Sequence, residues 1–272
     1  MRTAVIAAGL ALLVGMAAGV APAAACAVPP GDARGPFEVV ETIDGDTLRL
    51  DDGSQVRLVG IQAPKLPLGR EGFVAWPLAP EARAAARAVV HGQQVVLWSG
   101  GAARDRHGRR LAHVYVTSPT GALLWLQGEM LRQGLARVYT FADNRACAAA
   151  LLALEQAARD ARRGMWALDT YRIIGADEID RLTARAGSYH LVEGRVRDAK
   201  VINGRGYLNF GRDYRDDFTV SVSPRDMRMF TAAGIEWRAF AGRYVRTRGW
   251  LRLFNGPAIE ASHPEQIEIV RD

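Results

Sequence analysis

The chain has 272 residues, 49% hydrophobic and 24% charged, which excludes a disordered, collagen-like or multi-span membrane protein and leaves room for one large or two modest domains. Its formal charge is +6 and its isoelectric point about 9.7, which by itself supports only a weak attraction to polyanions. Lysine occurs only at Lys65 and Lys200, so arginine carries the basicity; arginine grips phosphate in a two-pronged way, although a genome rich in G and C produces the same bias.

At the N-terminus, Arg2, the apolar run AVIAAGLALLVGMAAGV and the Ala23-Ala24-Ala25 pattern read as a cleavable signal segment over 1–25. An exported protein, periplasmic or secreted, is the expectation. The apolar run is short for a retained membrane span, and no later stretch is long and apolar enough to make one. Cys26 follows the cleavage pattern directly, and Cys147 is the only other cysteine. An oxidising compartment permits a disulfide between them, and the extended chain from Cys26 to Phe37 reaches roughly 35 Å, enough to allow it. Lipid attachment at Cys26 and two unpaired thiols remain as alternatives; Ala23 stands where a lipoprotein signal usually has Leu.

From residue 37 the pattern is strand-like. FEVVETI, TLRL and QVRLVGI are rich in β-branched and apolar residues, with DDGS as a turn between the last two. After a Gly/Pro loop, PEARAAARAVVHG reads as a helix, with Pro80 near its start and Gly92 past its end. QQVVLWS and RLAHVYVT are two further strands, and GALLWLQGEMLRQGLA is partly helical. DNRACAAALLALEQAARDARRGMWA reads as a long helix capped by Asp143 or Asn144 and stopped by Gly164. Five strands with a helix after the third is the OB-fold arrangement, a small barrel that commonly binds nucleic acid or sugars. A polar linker is expected over 168–187. Residues 188–272 then repeat the same order of elements, predicting a second OB-like barrel. The fold class expected is mainly β with α, an α+β chain of two barrels.

The motif IDGDTLRL places Asp44 and Asp46 around a turn, which suits a hard cation; alone it is also an ordinary Asp-Gly hairpin signal. Taken in order with VRLVGIQAP, DRHGRRLAHVYV, LRQGLARVY and RRGMW, it resembles the staphylococcal nuclease (thermonuclease) family over about 37–167. The resemblance implies an OB-fold core and Ca²⁺-dependent phosphodiester hydrolysis of DNA or RNA. Asp46 would be a Ca²⁺ ligand, and Asp44 would support the site through water. Arg57 and Arg109 would clamp the scissile phosphate and offset charge gained in the transition state. Tyr139 and Phe141 would stack on a base, pointing to single-stranded nucleic acid as the partner.

Two positions depart from the family pattern. Gln62 stands where a second Ca²⁺ carboxylate is expected, so Ca²⁺ would be held by a weakened site. Lys65 stands where the family carries the glutamate assigned to activate water, and a charged lysine cannot accept that proton. Glu71, in the loop LGREGF, and His107, beside Arg109, are substitute bases by position. The expectation is phosphate binding with weak or lost hydrolysis. The alternatives are a competent Ca²⁺-dependent endonuclease with a rebuilt base and an envelope module that binds protein or glycan. In the second barrel, Tyr207, Phe210, Tyr214 and Phe218 interleave with Arg212 and Arg215, a pattern shared by single-strand platforms and by ordinary cores.

Overall fold

The computed structural model describes residues 26–29, 31–117 and 123–270; the expected signal segment lies outside them. The first domain comprises β1 (Arg34–Asp44), β2 (Thr47–Leu50), β3 (Gln55–Leu58), β4 (Gly60–Gln62), α1 (Ala79–Val90), β5 (Gln94–Trp98), β6 (Arg110–Thr117), β7 (Leu123–Trp125), α2 (Leu126–Arg132), β8 (Arg137–Tyr139) and α3 (Ala148–Asp160). β1 is long and interrupted by register shifts, so it bends and pairs β2 with one half and β5 with the other. Parallel pairing of β3 with β6 closes the ring β3-β2-β1-β5-β6, which is the OB arrangement. Leu48, Leu50, Val56 and Leu58 point inward onto Ala82, Ala86 and Val90 of α1. Period-two alternation therefore turns Arg57, between Val56 and Leu58, to the outer face.

The stretch QVRLVGI forms two strands rather than one. Gly60 breaks it at φ +77°, where a Cβ would come within 2.4 Å of Leu151 Cδ1, and β4 leaves the ring to pair with β8. GALLWLQGEMLRQGLA likewise splits into β7 and α2. The cap expected at Asp143 or Asn144 is displaced. α3 starts after Cys147, which holds φ 61° without a side-chain cap and is bonded to Cys26 with their Cα atoms 5.4 Å apart. The disulfide leaves Cys26 no thiol for a lipid, which removes that alternative. Among the described residues no helix is long and apolar enough to cross a membrane.

The segment expected to be a linker is built into the fold. Tyr171 donates its hydroxyl to the carbonyl of Pro77 at 2.7 Å. β9 (Ile174–Gly175) pairs with the second sheet, and α4 (Ile179–Ala184) buries Leu182 in the second core. A few apolar residues in polar surroundings anchor it, too sparse a pattern to register as structure.

The second domain comprises β10 (Tyr189–Arg195), β11 (Asp198–Ile202), β12 (Arg205–Asn209), β13 (Thr219–Val222), α5 (Pro224–Ala232), β14 (Tyr244–Leu253), β15 (Pro257–Ala261) and β16 (Ile267–Ile269). Its strand order is the same as in the first domain. β10 and β11 are halves of one bent strand, pairing β14 and β12 respectively, and Val196 and Arg197 carry the hydrogen bonding across the bend. β13 and β15 run parallel, as β3 and β6 do. Phe218 is fully buried with the Phe210 ring against it, so only Tyr207 and Tyr214 of the four interleaved aromatics face an outer cleft.

The barrels meet across a polar interface. Glu155 and Arg248 are both fully buried, with an N–O separation of 2.9 Å. Glu155 also accepts from the Val138 amide at 2.7 Å and pairs with Arg159, and Arg248 pairs with Glu268. Burial disfavours the Glu155 carboxylate, but Arg248 and Arg159 outweigh it and hold its pKa below the usual range. Thr140 and His263 share a hydrogen bond of 2.8 Å, and Arg145 grips Glu265 through Nε and Nη2 at 2.7–3.0 Å.

Candidate functional site

The turn from β1 to β2 presses against the chain leaving β4. At Gly45 a Cβ would lie 2.7 Å from that of Ala63 and 2.8 Å from that of Ala82, so only glycine admits this approach. The closeness delivers the Ala63 amide to Asp46 Oδ2 at 2.7 Å. Thr47 Oγ1 donates to Asp46 Oδ1 at 3.2 Å, and the Asp46 amide donates to Asp44 Oδ1 at 3.0 Å. Asp46 is fully buried.

Lys65 fills the space between the two aspartates. Its Nζ lies 2.6 Å from Asp46 Oδ1, 2.7 Å from Asp46 Oδ2 and 3.2 Å from Asp44 Oδ2. Arg57 adds a second cation, with Nη1 3.2 Å from Asp46 Oδ2. Its Nη1 and Nη2 donate to the Leu58 and Ile61 carbonyls, each at 2.8 Å, which fixes the guanidinium plane. Burial opposes ionisation of Asp46, but Arg57 and Lys65 prevail and hold its pKa well below the usual carboxylate range. Asp44 moves the other way: burial and the neighbouring Asp46 charge raise it, against the pull of Lys65. Asp44, Asp46, Arg57 and Lys65 are thus brought together.

Arg57 also lines a cleft of about 630 Å³ with Arg104, Arg106, Arg109, Tyr139 and Phe141. β3 and β6 place the two expected clamp residues at one mouth, since Arg57 pairs with Leu111, two residues beyond Arg109. Arg109 Nε and Nη2 both lie 2.7 Å from Asp105 Oδ2. Tyr139 and Phe141 meet edge to face with ring centres 4.8 Å apart, and Phe141 is half exposed. His107 lines the cleft and accepts from Arg106 Nε at 3.1 Å.

Residues 55–168 match the family model described as staphylococcal nuclease homologue. Most of the first domain is thus similar to staphylococcal nuclease homologues. No curated protein matches the chain.

Two candidate residues of the nuclease-homologue domain lie elsewhere. Gln62 turns its amide oxygen away from the aspartates to accept from Arg137 Nε and Nη2 at 3.0 and 2.7 Å. Arg137 in turn donates to the Tyr189 carbonyl at 2.8 Å and lies over the Tyr189 ring, so Gln62 serves the barrel interface rather than a metal. Glu71 is exposed on the loop after Lys65 and is not among the residues lining the cleft. A bound Ca²⁺ requires about six to eight oxygen ligands. Here both Asp46 oxygens are occupied by N–H donors, the Gln62 oxygen is engaged by Arg137, and an ammonium stands between the carboxylates. The residues present do not fit Ca²⁺.

One cleft residue escapes a reading of the nuclease motifs. Trp250, from β14 of the second barrel, lines the cleft and donates its indole N–H to the Tyr139 hydroxyl at 3.1 Å. Its sequence signal is an aromatic at an outward strand position, which does not reveal which domain it meets.

Proposed function

We propose that the chain is an exported nucleic-acid-binding protein whose nuclease-homologue domain holds phosphate in the arginine cleft, with phosphodiester hydrolysis weak or lost. The observation that carries this reading is the Lys65 ammonium within hydrogen-bonding distance of both Asp46 oxygens and of Asp44. A built-in cation replaces an exchangeable one, so the site keeps its charge balance without a metal and without metal-activated water. Lys65 cannot accept a proton while it is an ammonium. The carboxylates lining the cleft are Asp105, paired with Arg109, and Asp143. Loss of a general base costs about 10²–10⁴-fold in rate.

Binding draws on different groups. Four arginines face two aspartates in the cleft, and Tyr139, Phe141 and Trp250 supply aromatic faces, which supports a single strand as ligand. The Arg109–Asp105 pair is partly exposed, and such pairs are worth only about 0–1 kcal/mol, so a phosphate can displace the aspartate. The disulfide supports export, since such bonds persist in oxidising compartments.

The test is single-stranded DNA binding and hydrolysis by the mature chain, with Ca²⁺ and with chelator. Binding is expected to weaken with salt and to ignore the chelator, while turnover stays negligible in both conditions. Ca²⁺-dependent turnover abolished by chelator would refute the proposal in favour of a competent endonuclease.

A further inference from the structure

The second barrel carries a cleft of about 730 Å³ on the outer face of its sheet. Strand register assembles it. Lys200 is opposite Tyr207, Tyr207 opposite Ser221, and Ser221 opposite Glu260, making one outward row. Asn209, Thr219, Ala258 and Arg252 make the next. Tyr214 and Phe254 stand at the rim, 51% and 76% exposed. The face is cationic as well as aromatic. Arg205 and Arg252 share one carboxylate, Glu260, at 2.8 and 3.5 Å, and Lys200 pairs with Asp198 at 2.5 Å.

β14 connects this face to the cleft of the first barrel. Side chains two apart on a strand share a side, and Trp250 and Arg252 are exposed on β14 while Leu251 between them is buried. Phe254, the next residue of that alternation, follows the strand. Trp250 lines the first cleft, and Arg252 and Phe254 line the second. At about 3.3 Å per residue, Trp250 and Phe254 are separated by roughly 13 Å along the strand.

We infer that a single strand of nucleic acid leaves the arginine cleft at Trp250, passes its phosphate over Arg252 and stacks bases on Phe254 and Tyr214. The inference rests on the proposed function of the first cleft and adds a second contact surface to it. A surplus of guanidinium and ammonium groups suits a polyanion, exposed rings suit bases, and continuity along one strand suits a linear ligand.

The experiment is fluorescence anisotropy of labelled oligothymidylates of about 5 and about 20 nucleotides, within the span of one and of two OB-fold sites, on the mature full-length chain. The double variant Arg252→Ala/Phe254→Ala alters only exposed side chains, and an unchanged thermal melt confirms its fold. The 20-mer is expected to bind the parent more tightly than the 5-mer, and the variant to weaken the 20-mer by about 10-fold or more while leaving the 5-mer unchanged. Equal affinity for both lengths, with no response to the variant, overturns the inference while Arg109→Ala still weakens both oligonucleotides. If Arg109→Ala changes neither, the first-cleft reading fails instead. Loss of binding to a neutral oligosaccharide in the variant, with both oligonucleotides unaffected, overturns the inference in favour of glycan recognition.

Discussion

Replacing Lys65 by Met tests the internal-cation reading most directly. The substitution keeps an unbranched stem and removes the charge that lies 2.6 Å from Asp46 Oδ1 and 3.2 Å from Asp44 Oδ2. Breaking a buried pair by deleting one partner costs about 3–5 kcal/mol. Arg57 remains beside Asp46, and Lys65 itself is partly exposed, so the lower end applies, about 3 kcal/mol. For a domain of this size that lowers Tm by roughly 6–12 °C. The acid limb moves too. The folded Asp46 pKa lies below its ordinary 3.8, so its contribution is present above that value and is lost as pH falls through the folded one. Without Lys65 the folded value rises, and the loss begins at higher pH. The two carboxylates then lack their resident cation, so the variant gains Ca²⁺ affinity. At ten times a dissociation constant of order 1 mM, Ca²⁺ restores about 1.4 kcal/mol. Thermal melts of parent and variant across pH, with and without Ca²⁺, measure all three effects. A parent that Ca²⁺ stabilises as much as the variant, or a variant that melts with the parent, would refute the reasoning.

Arg109→Ala is expected to weaken single-strand binding and to reduce the slope of log K against log salt by about 0.7, the share of one phosphate contact; anisotropy across a salt series measures it. Cys147→Ser opens a loop of 121 residues and is expected to cost about 5 kcal/mol, with the same urea midpoint as the parent under dithiothreitol. His113, His190 and His263 are pushed by burial from 6.5 to about 4. The unfolded chain therefore binds more protons than the folded one between those values, so stability is full above about 6.5 and falls as pH drops towards about 4. Urea midpoints across that window check the sign.

The parts of the site legible in the sequence were those fixed by short-range pattern. Asp44 and Asp46 flank a glycine turn, and Arg57 alternates with Val56 and Leu58, so two neighbouring motifs carry the positions of all three. The charge reversal at Lys65 was equally visible, but its placement between the aspartates depends on a turn 19 residues away in sequence. Gln62 was assigned to the metal because its partner, Arg137, is 75 residues distant and no local pattern links them. The interface left a fainter trace. Glu155 lies on the same helical stripe as Leu151 and Ala158, whereas Arg246 and Arg248 share the outer face of β14 with Trp250. A charge on an apolar stripe signals a buried pair, but it does not identify which charge meets it. The linker reading failed for a similar reason, since only scattered apolar residues, Ile174, Ala176, Ile179 and Leu182, pack that segment onto the second core.

The Arg248–Glu155 contact has a mechanical consequence. Swinging the barrels apart would break it together with Arg145–Glu265, Thr140–His263 and the Arg137 bond to the Tyr189 carbonyl, so the two halves move as one piece. Whatever lies across both clefts meets a ruler of constant length: the number of nucleotides covered should stay the same as salt is raised, even while the grip on them loosens.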